Sequence, residues 1–177
     1  RQLVSEPVSR SAARIQGPLL AALEDLPPDA RLFVEVLVRL APDTATVRQL
    51  SARLGIRPST LMSRFARAGL PSPKSYLAAM RLLHAAQMLE DGGLSIADVA
   101  HRLDYSSPQS FGRHVRSLLG ITSSEFRKRF PFPLALRRFI DLMIRPYAAV
   151  WAGFHPLERC GQPTTAPGAT ERRDSPR

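Results

Sequence analysis

IADVAHRLDYSSPQSFGRHV, residues 96–115, can be laid over VRQLSARLGIRPSTLMSRF, residues 47–65, and this near-repeat decides the fold. Val47, Leu50 and Leu54 match Ile96, Val99 and Leu103. A turn follows in each copy, Gly55-Ile56 in the first and Asp104-Tyr105 in the second. After one inserted residue, Leu61 and Phe65 match Phe111 and Val115. These spacings are helical, so each copy reads as a short helix, a tight turn and a second helix. The turn asks for a residue at positive φ, which Gly55 adopts without penalty and Asp104 tolerates better than most. Pro58 suits a first helical turn, where its missing N–H would be unsatisfied anyway, and Ser107-Pro108 repeats that logic with a capping serine.

Outward from the repeat, no segment alternates like a strand. The expected class is all-α: two tandem helix-turn-helix units joined by a long linker helix, with flanking helices. The linker helix is predicted from about Pro73 to Leu89, roughly 25 Å long at about 1.5 Å per residue. Upstream, Ile15, Leu19, Leu23 and Leu26 share one stripe over residues 11–26, with Pro18 in the way. Pro27-Pro28 breaks the chain, and Asp29 helps start a helix to about Leu40 with Leu32, Val36, Leu37 and Leu40 inward. Ala41-Pro42-Asp43 reads as a linker. Downstream, residues 134–145 form an amphipathic pattern carrying Leu136, Phe139, Ile140 and Met143, closed by Pro146. Trp151, Tyr147 and Phe154 read as packing residues, as do Met80 and Met88. The expected organisation is a helical N-terminal extension over 1–45, the tandem unit over 46–130, a C-terminal helix and extension over 131–156, and a disordered tail over 157–177. The chain opens on Arg1 with no initiator Met and reads as a fragment.

Charge follows the repeat. The chain carries +10, and residues 46–130 hold thirteen basic and five acidic side chains, a net of +8. The first 45 residues come to −1 and the last 47 to +3. Positive charge concentrated on the helix-turn-helix stretch is what an electrostatic DNA footprint requires.

Residues 46–130 resemble the C-terminal DNA-binding domain of AraC/XylS-type transcription regulators. The second unit, SIADVAHRLDYSSPQSFGRHVRSLLGITSSEFRKR (95–129), carries the family's most diagnostic block, and PSPKSYLAAMRLLHAAQML (71–89) is similar to its linker helix. The first unit matches more loosely. Ser63 stands where the family has Arg, Leu70 where it has Gly (with Gly69 one step early), Asp104 at the turn glycine, and Ser123 at a proline after Thr122. The resemblance implies base-reading positions at Ser59, Thr60, Met62 and Ser63, then at Pro108, Gln109, Ser110, Gly112 and Arg113.

In such a unit the second helix enters the major groove, here at about 58–67 and 107–119. With Leu61 and Phe65, then Phe111, Val115 and Leu119, turned inward, the outward residues of the two helices differ. An asymmetric target is expected, its two segments about one DNA turn, roughly 34 Å, apart. Arg113 is the strongest base reader, since a guanidinium bonds both O6 and N7 of guanine, and Gln109 pairs naturally with adenine. Arg57, Arg67 and Arg116 read as phosphate neutralisers, which fix register without specifying sequence.

Other chemistry is thinly represented. Cys160 is the lone cysteine, so no internal disulfide forms. His84, His101, His114 and His155 lack ligand spacing with Cys or carboxylates, and His114 reads as a surface or half-buried side chain. No Gly-rich phosphate loop, nucleophile elbow or carboxylate pair appears, so no metal, cofactor or enzymatic activity is expected. No apolar run approaches the roughly 20 residues of a membrane span, and no signal segment opens the chain. The expected setting is the cytoplasm. Expected partners are double-stranded DNA and RNA polymerase, with a homodimer formed through a missing upstream region. The competing reading is a helical protein–protein or adaptor module that has lost DNA binding.

Overall fold

The computed structural model describes residues 6–23, 25–90 and 93–158, without the side chains of residues 6–11. Helices α1 (Glu6–Ala21) and α2 (Pro28–Leu40) lead through a 3-10 turn (Ala41–Asp43) into α3 (Val47–Arg53) and α4 (Pro58–Arg67). Helix α5 (Pro73–Glu90) connects this pair to α6 (Ile96–Arg102) and α7 (Pro108–Leu119). Then come α8 (Ser123–Arg129), α9 (Phe132–Phe139), a π turn (Ile140–Ile144), a 3-10 turn (Arg145–Tyr147) and α10 (Ala148–Ala152). Among the described residues there is no strand, and the fold is the all-α tandem arrangement that the periodicity implies. Of the expected disordered tail, residues 159–177, Cys160 included, lie outside the described residues.

Local chemistry places the helix starts. Thr46, Ser95 and Thr122 each accept a hydrogen bond from the backbone N–H three residues on, while Gln49, Asp98 and Glu125 reach back to the capping residue's own N–H. Each such box satisfies two backbone donors that a helix start leaves open. Ser107 caps α7 through Ser110 N, with Pro108 in the first turn. The two sharp turns sit at Gly55 (φ 65°) and Asp104 (φ 55°), as the repeat implies. Ser123 occupies the first position of α8, directly after the capping Thr122.

Helix α5 is the centre of the molecule. From Met80 to Leu89 every side chain is buried, because α1, α2, α3, α4, α6, α8 and α9 all pack against it. It is therefore a core beam, buried on every side with the polar side chains of Arg81, His84 and Gln87 enclosed among its apolar ones. A ring cluster fills the other end of the core. Phe65 of α4 lies 5.2 Å from Phe33, 5.9 Å from Tyr76 and Trp151, and 4.9 Å from Phe154, between centroids. Tyr76 Oη donates to Met143 O at 2.8 Å and accepts from Trp151 Nε1 at 3.3 Å. The C-terminal segment is strapped across this cluster: Arg64 donates to Pro156 O at 2.7 Å and to Glu158 O, and Asp29 accepts from Leu157 N at 3.1 Å.

Some apolar expectations fail. Leu32 is 50% exposed and Leu40 only half-buried, whereas Phe33, Val34 and Val38 are buried. The reason is the ring cluster, since turning Phe33 toward Phe65 and Trp151 rotates Leu32 to solvent. Leu119 is 37% exposed instead of inward; with Leu118 and Leu142 it edges an apolar groove between α5, α8 and α9. Pro18 does not interrupt α1, whose Ile15 and Leu19 are fully buried together with Leu23 just past its end. The chain over 134–145 is a helix that loosens into a π turn at Ile140 rather than one regular helix.

Candidate nucleic-acid interface

Helices α4 and α7 are each held by one narrow stripe. Helix α4 buries only Leu61 and Phe65, and α7 only Phe111 and Val115, each pair spaced four residues apart. Helix α4 rests on α3 and α5, with the C-terminal segment against Phe65 and Arg64, and α7 rests on α6 and α8, so the side of each helix opposite its buried pair is open. A helix so mounted can enter a major groove without unpacking.

The candidate residues lie on those open surfaces. Ser59, Met62 and Ser63 are exposed on α4, and Thr60 is half-buried. Pro108, Gln109 and Arg113 are exposed on α7, with Ser110 half-buried. Gly112 points differently. It is half-buried beside α8, and a Cβ there would lie 3.2 Å from Ser123 Oγ, so its lack of a side chain serves close helix packing. Arg113 Nη2 donates to Ser110 Oγ at 2.9 Å, and Ser106, Ser107 and Ser110 form a hydroxyl cluster at the start of α7. Its guanidinium is thus tethered to a neutral hydroxyl, not neutralised by a carboxylate. Exchanging that one bond for a base edge costs little.

Arg57, Arg67 and Arg116 are exposed, and among the described residues none forms an ion pair with a carboxylate. Exposed guanidinium groups outside any ion pair, flanking both helices, give the surface the positive potential a polyanion requires. Near the second turn, Tyr105 Oη hydrogen-bonds His114 Nδ1, leaving His114 half-buried on α7. Burial, reinforced by the nearby Arg81 charge, lowers the His114 pKa to about 4. The ring is therefore neutral near pH 7, and its Nδ1 can accept a hydrogen bond from the tyrosine hydroxyl, which keeps its proton. His114 works as an internal partner of the turn rather than as a phosphate cation. Sequence reasoning placed Tyr105 in the second turn without a bonding role and did not single out Arg81; a basic residue inside an otherwise apolar helix was the available signal.

Among the described residues no three His, Cys, Asp or Glu side chains cluster in metal-ligand fashion, and no helix is long and apolar enough to cross a membrane.

Known proteins bear on this geometry. A helix-turn-helix domain family model matches residues 50–129. The chain is 31% identical over 85 residues to the lactose operon transcription activator of Staphylococcus xylosus, covering 48% of this chain and 30% of that protein. It is 30% identical over 88 residues to a protein of Streptomyces lividans described as an AraC-like transcription regulator, covering 50% and 29%. It is 24% identical over 130 residues to the Msm operon regulatory protein of Streptococcus mutans serotype c, covering 71% and 47%. The chain thus spans less than a third of the first two proteins and about half of the third. No solved structure matches significantly.

Proposed function

Since residues 50–129 are a helix-turn-helix DNA-binding domain of the AraC/XylS type, we propose that this chain is the operator-reading part of a transcription regulator and engages two successive major-groove segments with α4 and α7. The observation that carries this reading is the mounting of both helices, each held by two buried residues and open on the opposite side. An adaptor module would have no need of two uncovered helices flanked by unpaired arginines.

Within this proposal, Arg113 and Gln109 read bases on α7, with Pro108 and Ser110 shaping the approach and Gly112 admitting α8. Ser59, Thr60, Met62 and Ser63 read bases on α4 through short polar and apolar contacts. Arg57, Arg67 and Arg116 bind phosphates. The two outward sets differ, so the target is asymmetric. The activator named among the relatives supports RNA polymerase as a second partner. A homodimer would form through a region outside this chain. The action of the regulator is binding in the cytoplasm, with no catalytic step.

Titrating the protein into duplex DNA at several salt concentrations tests the reading. Affinity should fall with a slope of roughly −0.9 per phosphate neutralised, and Arg67→Ala should reduce that slope by about one. An absence of DNA binding even at low salt would favour the adaptor module.

A further inference from the structure

Arg81 is 3% exposed near the middle of α5, and no carboxylate neutralises it in the described structure. Its guanidinium is spent on backbone. One terminal nitrogen donates to the carbonyls of Ala41 (3.0 Å), Pro42 (3.2 Å) and Thr44 (3.0 Å), the turn that delivers the chain into α3. The other donates to Leu103 O at 2.5 Å, at the end of α6. Nε lies 3.4 Å from Tyr105 Oη, and the guanidinium carbon sits 4.4 Å from the centre of the Tyr105 ring. Tyr105 in turn bonds His114 on α7.

We propose that Arg81 is a specificity-determining positioning residue: one rigid guanidinium, bonded to the entry of the first helix-turn-helix unit and to the turn of the second, fixes the angle between the recognition helices and hence the half-site spacing that the protein accepts. The spacing part rests on the DNA-reading function proposed above. The planar fork is essential. Its two terminal nitrogens point in different directions at fixed geometry, so one group serves both units. A lysine ammonium is a compact point charge that can satisfy one carbonyl cluster but cannot bridge to the other. A merely stabilising arginine would draw its acceptors from one neighbourhood; this one draws them from residues 41–44 and 103–105. Through Tyr105 the same group reaches His114, so the orientation of α7 is tied to α5 as well as to α6.

Two measurements test this in the whole chain, using Arg81→Lys, Arg81→Met and the milder Tyr105→Phe, with folding checked by circular dichroism. The first places spin labels on Ala66→Cys in α4 and Ser117→Cys in α7, both exposed sites, in a Cys160→Ser background. Wild type should give one narrow interlabel distance and the folded Arg81 variants a broadened or displaced one. The second inserts one base pair between the half-sites of a bound duplex, rotating one against the other by about 35°. Wild type should lose roughly tenfold or more in affinity, about 1.4 kcal/mol, and the variants distinctly less. Folded Arg81 variants with wild-type distances and wild-type spacing penalties would overturn the proposal. If both Arg81 variants fail to fold, Tyr105→Phe decides it: a broadened distance supports the coupling and an unchanged one refutes it. Wild-type protein that binds no DNA would defeat the DNA-reading function while the distance measurement still judges the coupling.

Discussion

Asp104 holds φ 55° where the matching turn of the first unit has Gly55 at 65°. A side chain in this left-handed region costs about 1–2 kcal/mol, and Asp meets it better than most because its short polar side chain bonds locally. Asp104→Ala should therefore destabilise the fold by about 1 kcal/mol, whereas Asp104→Gly should be neutral or mildly stabilising, as urea unfolding midpoints will show. Arg113 makes a sharper functional statement. Its truncation to Ala should cost about 1–3 kcal/mol at one base position and leave the others unchanged, measured on a panel of single-base operator variants. An equal loss on every sequence would make it a phosphate contact instead.

At the scale of the element, α5 and α7 carry the pH dependence, through His84 and His114, whose pKa values burial lowers to about 4. His84 is fully buried on α5, and its Nε2–H donates to Val38 O at 2.8 Å. Burial lowers its pKa from 6.5 to about 4, so the folded protein excludes a proton that the unfolded chain accepts. Between about pH 4 and 6.5 the unfolded state therefore binds more protons, and stability must rise with pH across that window. The contribution is on the order of 3 kcal/mol, and it is lost as pH falls from 6.5 toward 4. In His84→Gln the urea midpoint should follow pH less steeply over that window, with His114 supplying the remaining dependence. The helix caps give a simpler expectation: Ser107→Ala should cost about 1 kcal/mol, with α7 the first helix to fray in hydrogen exchange.

The same elements show what the sequence made legible. The ends of α4 and α7 were readable because proline, capping serine and turn glycine act within four residues of where they stand. The exposed faces of both helices followed from the Leu61/Phe65 and Phe111/Val115 spacing. Burial that depends on distant partners was not readable. Leu32 carries the helical spacing of a core residue, yet Phe33 takes the core because Trp151, more than a hundred residues away, supplies the ring it meets. Arg81 looked like one more basic residue in a basic stretch; only the fold brings the carbonyls of Ala41 and Leu103 to the two sides of its guanidinium.

Across the whole molecule, the flanking segments and the first unit share one core. Trp151 is 1% exposed and packs edge-to-face with Phe65, Tyr76 and Phe154 and tilted against Phe33, so the stripe that mounts α4 depends on chain far outside the repeat. Trp151→Ala should cost about 3–5 kcal/mol and weaken DNA binding through the first half-site more than the second, as separate half-site substitutions would reveal. The central claim is that α4 and α7 read two different segments of one duplex. Selection of bound sequences from a random duplex pool tests it most directly. Two unlike enriched segments, centred about 10 base pairs apart, are expected. A single segment, a palindrome or no enrichment at all would contradict it.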